Sequence, residues 1–126
     1  MVNHKLKDNT DFWAPPGGGL EFGQTISETI IREFKEETNI DVTPGQFMFG
    51  CEFIDEPLHA IELFFEVVSH SQDVSTGFDP ELQIILEARF MTSGEIKAMP
   101  VKNLHGIFRF CKDVEDLRSL KGFYSL

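Results

Sequence analysis

Apolar residues recur at helical spacing in one early stretch of the chain. Ile26, Ile30, Ile31 and Phe34 fall on one face at intervals of three and four. Thr25 and Glu28 precede that face at the spacing of a capping box. Asn39 follows Thr38, and asparagine tolerates the left-handed conformation that closes many helices. A helix is predicted to start behind Thr25 and end at Thr38-Asn39. Residues 46–54 and 60–69 carry runs of Phe, Val and Leu, among them Leu63-Phe64-Phe65-Glu66-Val67-Val68, and read as two strands. Pro44-Gly45 reads as the turn before them and Asp55-Glu56-Pro57 as the link between them. Residues 82–91 read as a further strand, although 82–87 also fits a helix. Residues 93–99 form a short helical candidate. Residues 104–120 form a longer one, with Ile107, Phe108, Cys111, Val114 and Leu117 near one period. Residues 1–5 read as the tail of a strand, 7–11 as a polar turn and 72–80 as a polar loop. Pro15-Pro16-Gly17-Gly18-Gly19 is excluded from helix or strand interiors and makes a loop. The pattern mixes strands and helices, without repeat, linker or low-complexity segment, and residues 1–126 are expected to form a single domain.

Composition adds limits. A chain of 126 residues is large enough to bury about two thirds of its unfolded surface. Its 13 phenylalanines sit mostly in apolar runs and read as core. The net charge of −10 opposes a phosphate backbone, so no nucleic acid polymer is expected as partner. A small phosphorylated substrate stays open, because a bound divalent cation inverts local charge. Cys51 and Cys111 make no C-x-x-C pair and read as buried thiols in a reducing compartment. No apolar run approaches the roughly 20 residues of a membrane span, and no signal peptide is visible. The expectation is a cytoplasmic protein with no membrane partner. His4, His59, His70 and His105 are scattered without ligand spacing and carry no assigned role.

The chemistry concentrates in residues 18–40. A glycine loop runs into a capped helix that carries Arg32-Glu33-Phe34-Lys35-Glu36-Glu37. At about 100° per residue, with Glu33 at 0°, Glu36 falls near −60° and Glu37 near +40°. Three carboxylates thus share one arc, with Glu33 and Glu37 at the seam between core and solvent and Glu36 on the solvated side. Like charges at this spacing repel on a bare helix. Carboxylate oxygens are natural ligands of Mg²⁺ or Mn²⁺, and such a cation offsets the repulsion and holds phosphate oxygens. The bland alternative is a solvated acidic face.

These residues resemble the Nudix box. That motif is Gly, five residues, Glu, seven residues, Arg-Glu, a bulky apolar residue, any residue, Glu-Glu, any residue, Gly and an apolar residue. Here Gly18 opens the register, Arg32-Glu33-Phe34-Lys35-Glu36-Glu37-Thr38 fills its centre and Ile40 its last place. Pro16-Gly17, Gly19-Leu20-Glu21 and Gly23 are similar to the usual opening loop. Two positions depart: Gln24 stands for the first glutamate and Asn39 for the glycine. Gln24 keeps size and a hydrogen-bonding oxygen but loses a charge, which implies altered metal binding rather than lost activity.

The resemblance implies the fold class, α/β (α+β), with a mixed β-sheet sandwiched between α-helices and the box as loop–helix–loop. It implies Mg²⁺ (or Mn²⁺) held by Glu33, Glu36, Glu37 and a backbone carbonyl near Gly18, with Arg32 orienting the glutamates. A later carboxylate often serves as ligand or base; Glu81 is the candidate and Glu87 a second. The implied reaction is metal-assisted hydrolysis of a diphosphate linkage in a small nucleotide-type substrate, with a carboxylate taking a proton from the attacking water. Trp13, beside Phe12, is a candidate to stack on a base, against the alternative of packing under the loop, and Gly19 to approach the substrate by its backbone. A non-catalytic nucleotide sensor is the alternative that Gln24 favours. An isoprenoid diphosphate isomerase fits less well, since Cys51 is not obviously placed for it. The short strand in residues 1–5 is expected to leave an open sheet edge that a homodimer would cover.

Overall fold

The structure, a computed structural model, describes residues 1–75, 77–80 and 84–126. Two β-sheets and two α-helices make up the described fold. Strands β1 (Val2–Asn3) and β2 (Trp13–Ala14) precede helix α1 (Ile26–Thr38). The long strands β3 (Val42–Asp55) and β4 (Leu58–Ser69) follow, then β5 (Gly77–Asp79), β6 (Ile84–Ala88) and helix α2 (Ser93–Ala98). Three 3₁₀ segments, Val101–Asn103, Gly106–Phe110 and Val114–Ser119, lead to β7 (Phe123–Ser125). One sheet has the order β2-β1-β6-β5 and the other β4-β3-β7. The first is antiparallel throughout; in the second, β7 runs parallel to β3. This mixed α+β arrangement is the class the sequence implies.

Three buried clusters hold the layers. Val2, Leu86 and Ala88 lie on the first sheet; Trp13, Ile96 and Leu104 tie β2 to α2 and the segment after it; Phe49, Cys51 and Ile107 lie on the second sheet. The Phe49 and Phe64 rings stack 4.7 Å apart within the last group. The backbone of β2 continues the tie, because the His105 amide donates to the Trp13 carbonyl at 2.9 Å.

Helix α1 has the predicted bounds for the predicted reasons. The Thr25 hydroxyl accepts from the Glu28 amide at 3.1 Å, and Asn39 closes the helix at φ 60°. Its burial departs from expectation, with Ile30 and Phe34 only half-buried. The buried residues are Thr29, Glu33, Glu37 and Thr38, while Ile26 and Ile31 stay exposed. The helix packs on β3, β5 and β6.

Four expectations are corrected. Pro44-Gly45 is no turn: it lies inside β3, at a register shift before Phe47, where a bulge accommodates a residue lacking an N–H. The polar loop of 72–80 contains β5, which pairs with β6. The long helix over 104–120 is two 3₁₀ segments parted at Cys111. Asp113 starts a fresh turn there in a capping box with Asp116, and its carboxylate also accepts from Ser93. Finally, β1 is no open edge, because it pairs with β2 on one side and β6 on the other.

Candidate active site

The loop between β2 and α1 returns over the helix and touches its carboxylates. The Gly17 amide donates to Glu37 Oε1 at 2.7 Å. Gly18 packs so closely on Glu33 that a Cβ there would fall on its carboxylate. Only glycine fits that approach, and the contact sets the loop backbone against the helix acids.

Arg32 organises the rest. Its Nη1 donates to Glu33 Oε1 at 2.8 Å and to Glu36 Oε2 at 3.3 Å. Its Nη2 donates to the Gly19 carbonyl at 3.1 Å, and its Nε to Gln24 Oε1 at 3.1 Å. Gln24 Oε1 also accepts from the Thr29 hydroxyl at 3.0 Å. Burial works against the guanidinium charge, but Glu33, Glu21 and Glu36 outweigh it and raise the Arg32 pKa above its ordinary value. One cation therefore ties together the loop, the start of the helix and two of its acids.

Glu33 is 6% exposed and Glu37 1%, deeper than the seam positions expected of them. Glu36 is half-buried, beside Arg32. The three carboxylates are not gathered into one cluster; among the described residues no three His, Cys, Asp or Glu side chains form a metal-holding group. Glu33 and Glu36 share the Arg32 Nη1 donor, while Glu37 accepts from the Gly17 amide.

Other expected site residues are placed as follows. Trp13 is 4% exposed, among Ile96 and Leu104, with the Arg89 guanidinium 5.0 Å from its ring centroid. That burial favours the alternative of packing under the loop over stacking on a base. Gly19 is exposed and its carbonyl is engaged by Arg32. Glu81 lies outside the described residues. Glu87 is exposed on β6, opposite Asn3. Sequence reading missed His4, whose Nε2 lies 3.7 Å from Glu37 Oε2. No spacing rule connects positions 33 residues apart; the pairing of β1 with β2 and β6 does it.

The site and fold place the chain in a recognised class. The family model described as "NUDIX domain" matches residues 1–109, and the chain belongs to this family. Among curated relatives, it is similar to the dihydroneopterin triphosphate diphosphatase of Escherichia coli (strain K12), 35% identical over 65 residues, 51% of this chain and 38% of that one. It is also similar to nucleoside triphosphatase NudI of Salmonella arizonae, 33% identical over 85 residues, 56% of this chain and 60% of that one. Nudix hydrolase 10 of Arabidopsis thaliana is 26% identical over 129 residues, 96% of this chain and 44% of that one. In each case the match spans less than two thirds of the relative's length. No solved structure gives a significant match.

Proposed function

We propose that this chain, acting as one Nudix domain over residues 1–126, hydrolyses a diphosphate linkage in a nucleoside diphosphate joined to another moiety. The relatives named as a diphosphatase and a nucleoside triphosphatase support a triphosphate substrate. The observation that carries the reading is the contact of Gly18 with Glu33, because it sets a bare loop backbone against a buried acid.

The donor set fits a divalent metal. Carboxylate and carbonyl oxygens suit hard cations, and the absence of a side chain at Gly18 lets the loop backbone lie directly against the Glu33 carboxylate. Glu33, Glu36, Glu37 and the carbonyl of the Gly18 region would hold it, with Mg²⁺ or Mn²⁺ the ions of choice. When bound, the cation supplies positive charge against the diphosphate oxygens and acidifies water. Arg32 orients Glu33 and Glu36 by charge-assisted bonds. The Gly17 amide fixes one oxygen of Glu37. Glu36, the least buried of the three, and Glu81 are the candidates to take a proton from the attacking water. Gln24, the residue behind the binding-only alternative, has its oxygen engaged by Arg32 and Thr29, a task that needs no negative charge.

The two cysteines are free, which supports a reducing, cytoplasmic setting. Among the described residues no helix is long and apolar enough to cross a membrane.

The test is product release from a panel of nucleoside triphosphates, ADP-ribose, dinucleoside polyphosphates and nucleotide sugars, with Mg²⁺ and with Mn²⁺. Glu36→Gln/Glu37→Gln is expected to lower turnover by at least about 100-fold, the lower end of what general acid–base groups contribute. Metal-independent turnover, or full turnover in the double variant, would overturn the reading.

A further inference from the structure

Away from the helix acids, the inner face of the second sheet carries a carboxylate that the proposed hydrolysis does not use. Glu62 on β4 lies opposite Cys51 on β3, and its Oε2 is 2.7 Å from His105 Nε2. The histidine is locked. Its Nδ1 accepts from the Ile107 amide at 3.2 Å, so in the neutral ring the proton sits on Nε2 and is donated to Glu62. His105 therefore orients the carboxylate through one of its oxygens. Cys51 gives no charge, since burial and then Glu62 push its thiol up to about 11.

The burial is uneven. The His105 side chain is 10% exposed and that of Glu62 39%. The inner-face neighbours are aromatic. Phe64 meets the His105 ring at 5.7 Å, Phe12 lies 6.5 Å from it, and the Phe53–Ala60 pair continues the face past Glu62. Phe12 and Phe53, both partly exposed, belong to none of the three buried clusters. Backbone connects this patch to the acids of α1. The Phe12 carbonyl accepts from the His4 amide at 2.7 Å, and the His4 side chain stands beside Glu37.

We propose that Glu62 reads the ring of the substrate, and that the ring is a 2-amino-4-oxopyrimidine edge, as in guanine or a pterin. This rests on the hydrolase reading above and names its substrate class. An ionised carboxylate accepts hydrogen bonds and donates none. Held in one orientation by His105, whose ring packs beside Phe64 and Phe12, it matches a planar ring with two adjacent N–H donors. The ring N–H between the oxo and 2-amino carbons (N1–H of guanine, N3–H of a pterin) and the 2-amino group supply both. Hypoxanthine supplies one, and adenine turns a lone pair toward the carboxylate.

The experiment measures equilibrium binding of α,β-methylene triphosphates of guanosine, inosine and adenosine, and of a pterin with a triphosphate tail. Wild type is compared with Glu62→Gln, and turnover of the parent triphosphates is followed in parallel. Guanosine or pterin is expected to bind roughly 5- to 150-fold tighter than inosine, the range of one bidentate pair, and adenosine to bind weakest. The guanosine and pterin arms decide between the two sources of the edge. In Glu62→Gln the guanosine-to-inosine ratio is expected to collapse. Should that variant not fold, Glu62→Asp is expected to reduce the ratio while keeping the charge. Equal affinity for all rings, or a ratio unchanged in the variants, overturns the inference. Turnover without ring preference sinks this inference alone; ring-selective binding without turnover supports it and sinks the hydrolase reading.

Discussion

Arg32 is the residue on which the site's geometry turns, and Gln24 is its least obvious support. The Gln24 oxygen takes the guanidinium Nε and the Thr29 hydroxyl. Gln24→Leu would strip a partner from a largely buried donor and is expected to cost about 1–3 kcal/mol. Gln24→Glu keeps the acceptor and is expected to leave stability near that of wild type; urea midpoints of the two variants check both. The acids and Arg32 were legible in the sequence because the motif is local. The Gln24 and His4 contacts were not, since both depend on where the loop and first strand return. Cys51 offers a pH test. Its thiol pKa is raised from 9.0 to about 11, so the unfolded chain loses the proton first. The stability this group contributes is intact below pH 9 and is lost as pH rises through about 11. Melting temperatures of wild type and Cys51→Ala should converge across that window; a constant difference would refute the assignment.

At the scale of elements, α1 shows which parts of a helix are local. Its ends were readable because caps act within four residues. Thr25→Ala is expected to cost about 1 kcal/mol. Asn39→Val, forced into the left-handed region at φ 60°, is expected to cost at least about 1–2 kcal/mol, while Asn39→Gly stays near neutral; thermal melts decide. Which face is buried was not readable, because periodicity locates a stripe without saying what packs on it. Here β5 and the glycine loop press on the polar stripe, and Ile31 is left 43% exposed. The region after α2 failed for a related reason. Near-periodic apolar residues promised one helix, but His105 and Asp113 cap separate short turns and each faces a different neighbour.

For the whole molecule, the homodimer expected from an open first strand loses that ground, since β1 is interior to its sheet. The outer face of the second sheet, where Ile54, Ile61 and Phe123 are each more than 60% exposed, is where a contact between copies would fall. Light scattering after size exclusion tests this: a dimer should become monomeric in Ile61→Lys, and a wild-type monomer at high concentration would end the idea. The α+β class followed from the motif's resemblance to a family of that fold. The split into two sheets did not, because strand order depends on pairings between distant residues. That order bears on how a ribosome releases the chain. Val2 and Asn3 are stitched to β2 and to a strand ending at Ala88, while β3, paired on one side with β4, waits on its other side for the parallel strand Phe123–Ser125. One edge of β1 and one edge of β3 must therefore stay open until β6 and β7 are made, which leaves the Phe- and Val-rich β3–β4 hairpin as the stretch for a chaperone to shield.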